Sequence, residues 1–352
     1  MEASHINSFR IPMYRNKKNI CTSIYTTLLF IIGLLSFCYS QSVIAEQLRP
    51  EIKAFISKMV KSHGFKEHNL KKIFNKIKIK SSIIKTISRP STSKPWHEYY
   101  PVFINKKRIS KGVSFWKKNA KILKRASKEF GVPAEIITAL IGVETYYGKQ
   151  TGGHRVLDAL TTLAFNYSRR ADFFRDELEQ YLLLTREQGT DIFSIKGSYA
   201  GAIGIPQFMP SSYRKYAVDF DNDGKIDLSG STADSIGSVA NYLTTHGWEI
   251  DGPTITRAQV SDGSSRHEAL KMKRKPLYTI KKLKKFGITP STDIHNDRKS
   301  TLIKLNNKNH TEYWLGFNNF YVITRYNHST YYAMSVLLLS EKIRALRDSK
   351  KL

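Results

Sequence analysis

Hydrophobic positions follow a helical period along most of this chain and lose it in one stretch near the end. Between residues 46 and 88, Phe55, Met59 and Val60 form one short apolar stripe and Leu70, Ile73 and Phe74 another, in a lysine-rich background. That pattern predicts short amphipathic helices. Arg89 to Pro95 is rich in Ser, Thr and Pro and reads as a loop or linker. Trp96, Tyr99, Tyr100 and Phe103 follow it, either as core or as a platform for sugar rings. Helical spacing then dominates 111–250. Its clearest segment runs from Val132 to Glu144, with Pro133 suited to the first turn and Gly148 to the end. Ile137, Leu140 and Ile141 make the apolar stripe, and Glu144 falls on the same face at i+7, i+4 and i+3. Between 251 and 310 the helical period fades, and Leu277–Ile280 and Leu302–Leu305 read as strands. A last helix is predicted over Tyr331–Leu346, with Met334, Leu337, Leu338 and Ile343 inward. The expected fold is mainly α, of the α+β class. It has an N-terminal α domain (46–110), a helical core (111–250), a small β domain (251–310) and a C-terminal part of the core (311–352).

Charge and the N-terminus change this picture. The net charge of +28 over 352 residues implies an anionic partner: nucleic acid, anionic lipid or an acidic wall polymer. Arg10, Arg15, Lys17 and Lys18 precede the apolar run Leu28–Leu35, and Val43 and Ala45 fit a small-residue cleavage site. Residues 1–45 are therefore expected to be a signal peptide or leader, the mature chain beginning at Glu46. An uncleaved anchor and a lipoprotein at Cys38 are the other readings; Phe37 is a poor residue before a lipidated Cys. Export argues against a nucleic-acid partner. Both cysteines, Cys21 and Cys38, lie in the leader, so no disulfide is expected to hold the mature protein. Lys71, Lys72, Lys76, Lys78 and Lys80 form a solvated face or bind an acidic polymer.

Three stretches can carry chemistry. Asp219 to Asp227 places Asp219, Asp221 and Asp223 at positions 1, 3 and 5 of a loop with Gly224 at 6, the pattern of an EF-hand calcium loop. Lys225 at position 7 would offer only its carbonyl. Gly230 stands where the loop-closing Glu is usual, and Asp234 lies four residues later. The bland reading is an acidic turn without metal. Lys196 to Tyr213 sets Gly201, Gly204 and Pro206 around Ser198 and Gln207, suggesting a backbone that approaches a ligand. Ser198 could orient a carboxyl group, and Gln207 could donate to a sugar acetamido group. No phosphate loop and no nucleophile elbow is present. Phe320 to Tyr332 is dense in aromatic and amide groups, as sugar rings require; His328 there is a base or a structural residue. Glu144 is either a surface charge or an inward carboxyl with the raised pKa of a general acid.

Taken together, Gly142-Val143-Glu144-Thr145, Gly201-Ala202-Ile203-Gly204 with Gln207-Phe208-Met209-Pro210-Ser211, and Arg325-Tyr326-Asn327-His328-Ser329 resemble the membrane-bound lytic murein transglycosylase B (MltB) family. Leu157–Leu160 and Asn166–Arg170 extend the resemblance over nearly all of the mature chain. It implies a lysozyme-like core that cleaves the β-1,4 bond between N-acetylmuramic acid and N-acetylglucosamine without water, leaving 1,6-anhydro ends. Glu144 matches the catalytic acid, with Ser198 orienting it. Gln207 and Phe208 match sugar-subsite positions. Arg169, Arg170, Tyr242, Tyr326, Asn327 and Tyr332 match cleft positions, the arginines suited to stem-peptide carboxylates. Asp219, Asp221, Asp223 and Lys225 match structural calcium ligands, and Asp234 does so with one extra loop residue. No organic cofactor is implied. The implied setting is the periplasm of a Gram-negative bacterium, attached to the outer membrane. The chain would be a monomer there, associated with the membrane through its leader, with peptidoglycan strands and penicillin-binding proteins as partners. A hydrolytic muramidase and a non-catalytic, calcium-stabilised wall-binding protein are the rival readings.

Overall fold

The structure, a computed structural model, describes residues 48–89, 94–261 and 274–349. The expected leader and both cysteines lie outside them. The chain divides into two compact units, the first ending at Asn75 and the second starting at Lys76. In the first, α1 (Pro50–His63) and α2 (Glu67–Phe74) pack through Phe55 and Phe74, whose ring centroids are 5.9 Å apart. Pro50 opens α1, and Gly64 ends it in the left-handed region (φ 66°).

The second unit begins with α3 (Ser81–Ile87), α4 (Trp96–Phe103), α5 (Lys106–Lys118) and α6 (Ala120–Phe130). Asn105 caps α5 by accepting from Arg108 N at 3.0 Å. Next comes α7 (Ala134–Thr145), with Pro133 just outside it as the N-cap. The two-residue strand β1 (His154–Arg155) leads into α8 (Val156–Asn166), a 3₁₀ turn (Ser168–Arg170) and α9 (Ala171–Glu187). Strand β2 (Lys196–Gly197) pairs with β1, and Gly197–Ile203 and Ile203–Phe208 bridges continue the ladder toward Gln207. Helices α10 (Pro210–Tyr216) and α11 (Thr232–Thr245) follow, α11 capped by Ser231 accepting from Asp234 N at 3.1 Å.

The small β region then forms one antiparallel sheet. Its strands are β3 (Ile255–Val260), β4 (Tyr278–Thr279), β5 (Ile288–Pro290), β6 (Lys299–Asn306) and β7 (Thr311–Gly316), in the order β4-β6-β7-β3-β5. The short helix α12 (Ile280–Lys285) sits between β4 and β5. Ile280, Leu283, Ile288, Leu302, Leu315 and Phe317 give the sheet a core of its own. The sheet runs past residue 310 to Gly316. Helices α13 (Asn318–Tyr326) and α14 (Thr330–Ser349) complete the chain, and α14 packs on α7, α5 and α4.

The helical core differs from the sequence expectation in one respect. Helix α7 is buried around most of its circumference: Ala134, Ile136 to Val143 and Thr145 are all buried, and only Glu135 and Glu144 are partly open. The first part of α14 is similar, with Leu339 buried and Leu338 only half-buried. An apolar stripe describes a surface helix; α7 is central, enclosed by α14, α5, α11 and α6.

Candidate active site

Glu144 occupies the last turn of α7, where the chain stops being helical. Tyr146, Tyr147 and Gly148 all take positive φ (53°, 63° and 81°). For two tyrosines this conformation is strained, so surrounding contacts must hold it. They do so in three ways. Arg108 Nη1 donates to the Gly142 carbonyl, which also accepts from Tyr146 N at 3.2 Å, and its guanidinium lies 4.8 Å from the Tyr146 ring centroid. Tyr147 donates its hydroxyl to Arg108 O at 2.8 Å. Thr145 Oγ1 donates to Ile205 O at 2.9 Å and accepts from Gly148 N at 3.0 Å, tying the helix end to the Gln207 loop. Gly142 is required here, because a Cβ would stand 2.6 Å from the Tyr147 ring.

The carboxyl of Glu144 meets tyrosines. Tyr332, on the first turn of α14, donates to Oε1 at 2.5 Å. Tyr99 and Tyr326 are close enough that the Glu144 charge pushes their hydroxyls further above the ordinary range, burial being the larger cause. Although Glu144 keeps part of its surface open, the protein packed around it raises its pKa to about 7. Burial is the main cause, and the Tyr332 hydrogen bond opposes it by favouring the charged form.

The other buried acids are committed. Asp158 accepts from Arg155 and from Lys78 N. Glu177 accepts from Ser211 N at 2.9 Å and Ser211 Oγ at 2.6 Å. Asp234 accepts from Phe220 N at 2.7 Å and Asp227 N at 2.8 Å. Among the described residues, only burial and Tyr332 set the ionisation of Glu144; no second carboxylate takes part.

Around this acid, several expected residues take other duties. Ser198 Oγ accepts from Ala200 N at 3.3 Å and Ala202 N at 3.0 Å, closing its own loop; the hydrogen bond on Glu144 comes from Tyr332 instead. The loop glycines serve chain packing more than ligand approach. Gly204 (φ 73°) lies where a Cβ would be 2.3 Å from Leu228 O. Gln207, itself at φ 54°, donates Nε2 to Thr151 O at 3.0 Å and Gly204 O at 2.8 Å. Both partners are carbonyls, so the amide orientation is fixed. Its Oε1 is the group left for a ligand, as an acceptor and not the expected donor. Phe208 is buried beneath the site, packed on Tyr242 and Tyr326. Tyr242 and Tyr326 donate to Arg325 O and Pro206 O at 2.7 and 2.5 Å. These three rings brace the wall from behind.

Asn327 is exposed at the end of α13. Arg169 and Arg170 form the exposed 3₁₀ turn, with the Arg170 guanidinium 4.1 Å from the Phe173 centroid. Arg170, Arg325 and Arg274 all act on His328, whose pKa is lowered by burial first and then by these cations. Cations therefore gather beside Asn327. Two residues of the Glu144 environment were hard to assign from sequence. Tyr99 belonged to an aromatic cluster that reads equally as core. Arg108 sits in a lysine-rich helix and is one cation among many.

In the acidic loop, carboxylate oxygens of Asp219, Asp221 and Asp223 lie within 4.8 Å of one another. Asp219 accepts from Asp223 N and Gly224 N, and Gly224 (φ 86°) makes the sharp turn. Three converging hard oxygen donors on a pre-folded loop fit a calcium ion. Asp234 stands outside this cluster, and its buried carboxylate accepts from Phe220 N and Asp227 N.

Comparisons with known proteins bear on the family and the fold. The profile of the family described as "Transglycosylase SLT domain" matches residues 47–341. The membrane-bound lytic murein transglycosylase B of Escherichia coli K12 is 42% identical over 308 residues, covering 85% of this chain and 84% of its own. The crystal structure of soluble lytic transglycosylase SltB1 from Pseudomonas aeruginosa superposes with a TM-score of 0.80 at 47% identity, covering 85% of this chain and all (100%) of that one. E. coli lytic transglycosylase Slt35, solved in complex with calcium, gives 0.78 at 41% identity, covering 85% and 94%.

Proposed function

The chain belongs to the family of the transglycosylase SLT domain, and from that premise we propose that Glu144 alone gives and takes the proton in its reaction. The protein is a lytic murein transglycosylase of lysozyme-like fold, acting in peptidoglycan turnover. Its substrate is the glycan strand. A carboxyl with a pKa of about 7 is substantially protonated at neutral pH, as a general acid must be. Glu144 protonates the oxygen linking N-acetylmuramic acid to N-acetylglucosamine, and the C1–O bond breaks with its electron pair leaving on that oxygen. The carboxylate so formed removes the proton from the muramyl C6 hydroxyl. The C6 oxygen closes on C1, a 1,6-anhydro ring forms, and Glu144 is protonated again. No water enters. Tyr332 holds Oε1, which leaves Oε2 for both transfers.

The observation that carries this reading is the isolation of Glu144. Most glycosidases that use water or a covalent intermediate rely on a second carboxylate, and the buried candidates here are tied to backbone amides or arginine. Ser198, Gln207, Asn327, Arg169 and Arg170 form the binding surface in this reading, with Phe208, Tyr242 and Tyr326 shaping it from behind. Glu144→Gln should lower release of anhydro-muropeptides from purified murein by about a thousandfold with the melting temperature no lower than the parent's. Full activity in that variant would end the proposal.

Asp219, Asp221 and Asp223, with the Lys225 carbonyl, would hold a calcium ion. A bound dication there neutralises three crowded carboxylates and fixes the loop. Export to the Gram-negative periplasm with attachment to the outer membrane is in keeping with the membrane-bound E. coli relative. Among the described residues, no helix is long and apolar enough to cross a membrane. Penicillin-binding proteins are the protein partners we propose for this monomer.

A further inference from the structure

The lysines between α2 and α3 build a second feature of the surface. Lys78 and Lys80 line a cavity of about 290 Å³ with Gly153, His154, Arg155 and Asp158. Its floor is fixed. Asp158 is buried, and Oδ1 accepts from Arg155 Nη2 at 2.6 Å and Lys78 N at 3.0 Å, while Oδ2 accepts from Arg155 Nε at 3.0 Å. Arg155 Nη2 also donates to Lys76 O at 3.1 Å. Thr162 Oγ1 accepts from Lys80 N at 3.0 Å. The backbone of the lysine segment is therefore pinned to α8, and the one acid in the cavity is neutralised by Arg155.

What remains is positive. Among the described residues, neither Lys78 nor Lys80 pairs with a carboxylate, and Arg155 Nη1 has no partner. Ile79 is 48% exposed between the two lysines. The Phe193 ring lies beside them, 5.1 Å from the Arg155 guanidinium and 5.9 Å from Lys76 Nζ. Two ammonium groups and a guanidinium edge next to small apolar surfaces suit a carboxylate on a short peptide better than a bare ion.

Position supplies the ligand. Gly153 and His154 follow Thr151, whose carbonyl holds Gln207. At about 3.8 Å per residue, the cavity edge is within roughly 8–11 Å along the chain from that contact. An extended peptide of four residues spans about 13–14 Å. A stem peptide on a muramyl unit bound near Gln207 can reach the cavity.

We propose that the cavity between Lys78, Lys80 and Arg155 binds a stem-peptide carboxylate of the glycan strand, which gives the enzyme a preference for peptide-bearing substrate. This rests on the murein reading above. The test measures binding, so it does not depend on turnover. In a Glu144→Gln background, the Kd of a disaccharide tetrapeptide is compared with that of the same compound with its carboxyls amidated. Both are repeated with K78Q/K80Q added, after confirming an unchanged melting temperature. Amidation should weaken binding about three- to tenfold with both lysines present. K78Q/K80Q should show that loss on the native compound and no further loss on amidation. Three results would overturn the proposal. Amidation could cost the lysine variant as much as its parent, which would assign the carboxylate to Arg169 and Arg170. The variant could bind both compounds as its parent does. Or it could lose only affinity for anionic phosphatidylglycerol vesicles, which would make the site a lipid contact. Failure of the murein reading is seen separately, as absence of anhydro products from the unmodified enzyme.

Discussion

Glu144 ionises near neutrality because burial and one hydrogen bond oppose each other. Removing the hydrogen bond should therefore move the pH profile in a defined direction. Tyr332 favours the carboxylate, so Tyr332→Phe raises the Glu144 pKa further and shifts the alkaline limb of kcat/KM to higher pH. The rate at the optimum should fall about tenfold, since a hydrogen bond to a charged group contributes roughly 1.5–3 kcal/mol. A limb that stays in place would mean that Tyr332 does not act on Glu144. The same shift bears on stability. A carboxyl whose folded pKa lies above its unfolded value of 4.5 costs nothing below about pH 4.5 and destabilises increasingly as pH rises to about 7. Glu144→Gln should then be more stable than the parent at pH 8, by at most about 3 kcal/mol, with the difference vanishing near pH 4.5. Urea unfolding at the two pH values reads this directly. Helical spacing set Glu144 on the face of the apolar stripe but left open whether it was a surface charge or an inward carboxyl. Its partner was not legible, because Tyr332 lies 188 residues away and no local pattern links them. Likewise, nothing local to Gln207 shows that two carbonyls take its amide hydrogens.

Helix α7 is where local pattern and tertiary packing diverge. Its apolar residues predicted a helix and nearly its ends, yet burial around most of its circumference comes from α5, α11 and α14 closing around it. Its last turn is fixed by close contact between Gly142 and the Tyr147 ring. Gly142→Ala should destabilise the protein by about 1–3 kcal/mol through overpacking and also reduce kcat, because the Tyr147 ring can move only by disturbing the turn after Glu144. Unchanged thermal stability and rate would show that the turn relaxes freely. The sheet was legible as strands at 277–280 and 302–305, but β4 holds only Tyr278 and Thr279, and Ile280 starts α12. The order β4-β6-β7-β3-β5 follows from long-range pairing that alternation alone does not specify.

For the whole molecule, the net charge of +28 and the lack of any cysteine among the described residues direct attention to its ions. The three-carboxylate loop repels itself, and a bound calcium ion should stabilise the fold by mass action, about 2.7 kcal/mol at a hundredfold excess over Kd. Chelator should lower the melting temperature and calcium should restore it; an unchanged melting temperature would remove calcium from the account. The charge was visible from composition, but its division into a cation group beside His328 and the Lys78–Arg155 cavity required the fold. The central claim is that one carboxyl, and no water, completes the reaction. It is tested most directly by digesting purified murein in heavy-oxygen water and weighing the muropeptides released. The account predicts anhydro ends one water lighter than reducing ends and free of the heavy isotope. Reducing ends that carry the heavy oxygen would contradict it and make the protein a hydrolase.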